Sequence, residues 1–339
     1  MNRGRSIKSG IILLAALLLV WLAALTPGFA GGREESGGAA PGEVKPGGRP
    51  LRVFVSIPPQ AYFVERIGGD RVQVEVLVKP GQSPHTFEPT PQQMARLAEA
   101  EVFFRIGVEF ENTLMPRIQS TMPGLEVVDC REGIRLRRME EHGHDEHRDE
   151  GEDGTEAHPE VEEHEGVHEE GQEHHEQEGT DPHIWLSVRN AIRIAGTMLE
   201  ALVRLDPAGN DAYERAYRLL VDDLEALDRS IAGILAPVGG KPFFVFHPSF
   251  GYFADDYGLE QIAVETGGAE PSARQLTRLI EEARERGVRV IFVQPQFSQR
   301  SAETIADEIN AEVVPIDPLA RDYIANIEKM ARAVKEGLR

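Results

Sequence analysis

The sequence predicts an α/β protein built from two Rossmann-like lobes joined by one long helix. Three observations carry this. Short apolar runs alternate with helical stretches from Leu51 to Leu205, and the same alternation returns after Pro237. Between the two halves, apolar side chains recur in steps of three and four over about 25 residues, one helix of roughly 38 Å. Strands that alternate with helices imply a mostly parallel sheet with helices on its faces.

The elements follow in order. Arg3, Arg5 and Lys8 precede an apolar run from Ile11 to Leu25 and a Thr-Pro-Gly-Phe-Ala end, the pattern of an export signal over 1–30 cleaved after Ala30. The alternative is an uncleaved anchor, for which fifteen apolar residues fall short of the about 20 a span needs. No cysteine follows this run, which excludes a lipid-modified N-terminal cysteine. Residues 31–50 are rich in Gly and Pro and read as a flexible tether. The first lobe is expected over 51–209. Its strands are LRVFVSI (51–57), RVQVEVLV (71–78), EVFFRI (101–106) and LEVVD (125–129). Its helices follow Pro58, follow a Thr90 cap with Pro91 in first position, and cover about 109–120 and 188–205. Within this lobe, residues 131–180 have few apolar side chains and many like charges, and read as a disordered insertion. The linking helix takes 210–236, with Tyr213, Tyr217, Leu220, Leu224, Leu227, Ile231 and Ile234 along one stripe. The second lobe takes 237–339. Its strands are FFVF (243–246), LEQIAVE (259–265), VRVIFV (288–293) and EVVPI (312–316), and its helices cover a short turn after His247, about 272–286, about 298–310 and the tail from Leu319.

The formal charge of −21 is local: residues 140–181 hold 19 acids against Arg148 alone, so the rest of the chain is near neutral. No basic patch remains, which excludes nucleic acid as a partner. The one cysteine, Cys130, permits no internal disulfide and reads as a half-buried hydrophobe at a strand end. Any bound metal is therefore held by nitrogen and oxygen.

The eleven histidines fall into two groups. Eight of them, His142, His144, His147, His158, His164, His168, His174 and His175, crowd among glutamates in the insertion. They read as weak accessory metal sites, or as a solvated acidic linker that meets metal incidentally. The other three stand apart. His85 lies in the loop after the 71–78 strand, His247 directly follows 243–246, and His183, within DPHIWLS, opens a short apolar segment just after the insertion. Asp317 directly follows 312–316. Ligands of open α/β sheets bind beyond the carboxyl ends of strands, so His85, His183, His247 and Asp317 are candidates to face one cleft between the lobes. Three imidazoles and a carboxylate suit Zn²⁺, and water could equally take the fourth position. Asp317 also fits a helix cap before Pro318.

The blocks PGQSPHTFEPTPQQMARLAEAEVFF, DPHIWLS, FHPSFGYFADDYGL, AEPSARQL, FVQPQFS and VVPIDPLA resemble, in that order, the ZnuA-type metal-binding proteins of bacterial ABC importers, the cluster A-I solute-binding family. The resemblance implies four-stranded lobes bridged by a rigid helix and a metal held by His85, His183, His247 and Asp317. It implies zinc over manganese, since manganese-preferring relatives usually carry glutamate at the position of His247. This chain departs from some zinc members in having Pro84 beside the first histidine and no cysteine pair for a second-lobe disulfide. The implied protein is an exported, monomeric, non-enzymatic carrier of Zn²⁺ that serves a membrane permease powered by a separate ATPase. No GxxxxGK[ST] run is present, so the chain does not energise transport itself. The alternatives are a manganese carrier of the same family, a metal buffer or adhesin without a transporter, and a zinc hydrolase, which lacks an HExxH run. Binding through neutral imidazoles implies an affinity that falls with pH near 6–7.

Overall fold

The computed structural model describes residues 49–139, 179–265 and 271–339. The expected export signal, most of the tether and the eight crowded histidines lie outside the described residues.

The first lobe is a parallel sheet of β1 (Leu51–Val55), β2 (Val72–Val76), β3 (Val102–Arg105) and β4 (Glu126–Asp129) in the order β2-β1-β3-β4. The second repeats it with β5 (Pro242–Val245), β6 (Glu260–Ala263), β7 (Val290–Val293) and β8 (Glu312–Pro315) in the order β6-β5-β7-β8. Both sheets reverse direction of growth at their centre, between β1 and β3 and between β5 and β7. That reversal opens a crevice past the strand ends.

Side-chain alternation sets which face each strand residue serves. Phe243 and Val245 of β5, with Phe292 of β7, join the large core that also fills the first lobe. Phe244, Ile291 and Val293 point the other way, into a smaller core beneath the second lobe's outer helices. These outer helices are α7 (Ala273–Glu285) and α8 (Arg300–Ile309).

The remaining helices are α1 (Pro58–Gly68), α2 (Pro91–Leu97), α3 (Glu109–Thr121), α4 (Val188–Leu205), α5 (Asn210–Leu235), α6 (Gly251–Tyr257) and α9 (Tyr323–Gly337). Helix α2 starts as its sequence requires: Thr90 accepts from the Gln93 amide, Gln93 reaches back to the Thr90 amide, and Pro91 occupies the first turn. In α5 the buried positions are Tyr213, Leu220, Leu224, Leu227, Ile231 and Leu235. They pack on α1 and α4 of the first lobe and on α9 of the second. Tyr217 and Ile234, expected on the same stripe, are only partly buried.

Three expectations need correction. The segment 131–180 is ordered at both ends: the Arg131 guanidinium pairs with Asp129, Ile134 is buried, and Arg138 bridges Thr180 antiparallel. Cys130 is fully buried, with its thiol pKa pushed up by burial. The last helix begins at Tyr323 instead of Leu319, because the Asp317 carboxylate turns the chain by accepting the Leu319 amide at 3.0 Å.

The lobes meet through a dense seam. The Trp185 indole donates to the Pro318 carbonyl at 2.9 Å, the Tyr323 hydroxyl to the Trp185 carbonyl at 2.7 Å, and the Ser187 hydroxyl to Asp256 at 2.6 Å. Ile231 of α5 is fully buried in the shared core. We expect Ile231→Ala to lower stability by about 2–5 kcal/mol, read from the urea midpoint, with both lobes still unfolding in one transition. Two separated transitions would show that the core is not shared.

Candidate metal centre

Three of the four residues expected at the cleft come together. One ligand atom from each of His85, His183 and His247 lies within 4.8 Å of the others, the one such histidine or carboxylate group found among the described residues. The ring centroids are 4.5 Å apart for His85–His247, 5.1 Å for His183–His247 and 5.8 Å for His85–His183. Nε2 of His247 faces Nε2 of His183 at 3.3 Å.

Each ring is turned by its other nitrogen. Nδ1 of His183 meets Asp181 Oδ1 at 2.8 Å, Nδ1 of His247 meets Glu265 Oε1 at 3.2 Å, and Nδ1 of His85 meets Glu109 Oε2 at 3.2 Å. A carboxylate accepts only, so each pair places the imidazole proton on Nδ1 and leaves Nε2 as a lone pair. Two buried lone pairs at 3.3 Å repel each other, and a cation between them relieves that repulsion. The donor set fits a borderline divalent metal.

The backbone supplies the rest. His85 sits on a single helical turn, Pro84–Thr86, whose start Ser83 caps by accepting the His85 amide. Glu109 is the first residue of α3. Beyond β5, Gln294 holds His247 from both sides: its carbonyl accepts the His247 amide at 3.1 Å, and its amide donates to the His247 carbonyl at 2.8 Å. Glu265 arrives because the β5–β6 pairing continues one step, with its amide on the Phe246 carbonyl. Phe297 stacks on the His247 ring at 4.5 Å and 23°.

Asp181 is fixed in turn. Its Oδ2 accepts from Arg137, whose guanidinium also reaches Asp255 of the second lobe, and its carbonyl accepts the Tyr252 hydroxyl at 3.1 Å. The guanidinium packs against Gly251, where a Cβ would overlap it and push it from its place beside Asp181. The lack of a side chain at Gly251 permits this close approach.

Asp317 does not join the three imidazoles. Its Oδ1 accepts the Gln296 amide at 2.7 Å and the Leu319 amide at 3.0 Å. The cavity at the site is about 20 Å³ and is lined by the three histidines with Trp185, Gln296 and Phe297 among others, but not by Asp317. Such a volume admits little more than one water-sized occupant. Sequence reasoning missed Glu109, Glu265, Gln294, Gln296 and Phe297. FVQPQFS stood out only as a block without roles.

Burial also moves the titration. It pushes the His183 imidazole below its ordinary pKa against the pull of Asp181, and lowers His247 to about 4 against that of Glu265. The expected loss of neutral imidazole near pH 6–7 thus shifts to lower pH for these two. The Glu109 carboxyl is held low by the His85 hydrogen bond.

A sequence model of the ZnuA family, described as the periplasmic component A of a zinc-uptake complex, matches residues 53–337. The high-affinity zinc uptake system protein ZnuA of Bacillus subtilis is 29% identical over 315 residues, 92% of this chain and 88% of that protein. The zinc-binding lipoprotein AdcA of Streptococcus pneumoniae is 28% identical over 298 residues, 84% of this chain but 55% of its own length. The chain thus spans about half the length of AdcA. A crystal structure of ZnuA, 37% identical, superposes with a TM-score of 0.73 over 86% of this chain and 100% of that one. The zinc-bound structure of a ZnuA lacking residues 138–173, also 37% identical, gives 0.72 over 85% and 98%. No helix among the described residues is long and apolar enough to cross a membrane.

Two outcomes follow from this geometry. Asp181→Asn keeps the shape but removes the acceptor for the His183 proton, so metal affinity should fall about 10- to 100-fold in a competition titration with a chromophoric chelator. Unchanged affinity would mean that Asp181 does not orient the ring. For the metal-free protein, both lowered pKa values lie beneath the unfolded value of about 6.5. Below that pH the unfolded chain takes up protons that the native state refuses, so native stability falls with acidification toward about pH 4. The urea midpoint should drop between about pH 7 and about pH 5, and the drop should shrink in His247→Asn. An equal drop in that variant would place the proton uptake elsewhere.

Proposed function

We propose that this chain, which belongs to the ZnuA family, is a carrier that binds one Zn²⁺ through Nε2 of His85, His183 and His247. It delivers the ion to an ABC permease driven by a separate ATPase. One observation carries the reading: three imidazoles converge at the crevice, each with its Nδ1 on a carboxylate from a different element. That arrangement is a prepared nitrogen cage, and borderline nitrogen donors favour zinc over manganese.

The chain works as an exported monomer, with 1–30 as its signal. Zinc is cargo here. His183 and His247 are buried and His85 is partly exposed, so His85 is the side from which the ion enters and leaves. Its carboxylate partner, Glu109, is largely exposed and attracts the incoming cation. The seam of Trp185, Ser187, Tyr252 and Tyr323 opposes wide opening of the lobes, so exchange proceeds by movement of the His85 turn.

The insertion serves as an accessory collector of weakly bound zinc. Its two ends meet at the fold, where the Met139 amide donates to the Gly179 carbonyl at 2.8 Å, so a short linker can replace it. The zinc-bound relative that lacks 138–173 supports this division.

Zinc titration of the mature chain should give one tight site and several weak ones. Deleting 140–178 should remove the weak sites alone, and His85→Ala should remove the tight one. Loss of the tight site with the deletion would refute the division of labour. Its persistence in His85→Ala would refute the three-histidine cage.

A further inference from the structure

Helix α3 starts without help from its cap residue, because Val108 has no side chain that can accept a hydrogen bond from the first turn. Glu111, within that turn, anchors the helix instead. Its side chain is fully buried, and its carboxylate collects four donors: Oε1 accepts the Ser56 hydroxyl and the Ile106 amide, while Oε2 accepts the Gly107 amide and the Arg105 guanidinium. The two backbone amides lie at 2.9 Å and 2.7 Å. Each oxygen accepts a backbone N–H, the pattern of a carboxylate. The amides of Ile106 and Gly107 can converge on one anion because Gly107 is left-handed, with φ +93°.

Ser56 follows β1 and Ile106 follows β3, so this carboxylate sits past the two central strands of the first sheet, where an open α/β fold receives ligands. In the second lobe the ends past β5 and β7 are tied by Gln294, which bonds to His247 and Ser249. The first lobe ties the same place with an anion of its own. The three residues before Glu111 all face the segment that carries His85. Val108 lines the histidine cavity, Glu109 meets Nδ1 of His85 at 3.2 Å, and the Phe110 ring packs edge-on against Phe87 at 4.9 Å and 72°.

We propose that Glu111 is a positioning residue for His85, an assignment that rests on the three-histidine reading and on exchange at the His85 side. As a built-in anion it fixes the first turn of α3, and that turn is the seat on which the His85 turn closes over the ion. How long an ion is retained then depends on a residue that never touches it. An amide in place of the carboxylate has only one accepting end, so its NH₂ group would confront a backbone N–H or the Arg105 guanidinium. The seat must then shift, and it carries Glu109 away from Nδ1 of His85.

The test is the rate at which Zn²⁺ leaves the loaded mature chain after mixing with excess chelator, in the wild type, Glu111→Gln, Glu109→Gln and the double variant. Each single substitution should speed release about 10-fold. The double variant should release no faster than Glu109→Gln alone, because both changes act on one contact. Urea midpoints of the metal-free proteins separate this from a loss of stability: Glu111→Gln should lower the midpoint equally with and without Glu109→Gln. If Glu111→Gln fails to fold, Ser56→Ala takes its place, since it removes one donor and leaves the carboxylate. It should speed release about 3-fold, and only while Glu109 is present. The proposal is overturned if release is unchanged in these variants, or if the effects multiply in the double variant. His85→Ala, run in parallel, tells the two readings apart: slow release that survived it would fault the histidine cage, whereas slow release lost there but unchanged in Glu111→Gln would fault the role of Glu111 alone.

Discussion

The carboxylate–imidazole pair, repeated three times, is the constraint around which this molecule is arranged. Asp181, Glu265 and Glu109 each hold the Nδ1 of one histidine, and so decide which nitrogen faces the cavity. Desolvation works in the same direction, since burial keeps His183 and His247 neutral where an exposed histidine would begin to charge. Neutral rings with inward lone pairs repel one another, and only the surrounding structure holds them together. The Gln294 clamp on the His247 backbone and the Arg137 bridge to Asp181 are parts of that restraint. The metal-free site is thus assembled against its own electrostatics, which is what prepares it for a cation.

Much of this was legible in the chain. The strand–helix alternation gave the two sheets, because β-strands buried on both faces read as plain apolar runs. The three solitary histidines were legible because strand ends are where open sheets present ligands. Their partners were not legible in the same way. Asp181 lies two residues from His183 and stood in plain view, yet an Asp-Pro-His triplet does not say which atom bonds which. Glu265 is eighteen residues beyond His247 and reaches it only through the register of β5 and β6. Gln294 and Gln296 are neutral amides, and nothing in their composition distinguishes a backbone clamp from a surface residue.

Asp317 shows the limit most clearly. Its position after β8 and beside Pro318 fitted both a ligand and a cap, and spacing could not separate them. Its observed hydrogen bonds serve the turn and Gln296, because a short carboxylate on a tight turn finds backbone amides nearer than the cleft. The ends of the insertion were misjudged for a related reason. Composition describes the stretch as a whole, whereas Arg131, Ile134 and Arg138 make individual bonds to the fold.

The core that passes from the first sheet through α5 to β5, β7 and α9 is continuous. Neither lobe can melt without exposing the other, so the cleft belongs to a single cooperative unit. A ligand present at 100 times its dissociation constant adds about 2.7 kcal/mol to such a unit, and here that gain is shared by every residue in it. Proteases that act on transiently opened chains sense the same quantity. A molecule with its cleft filled would therefore resist proteolysis longer than an empty one.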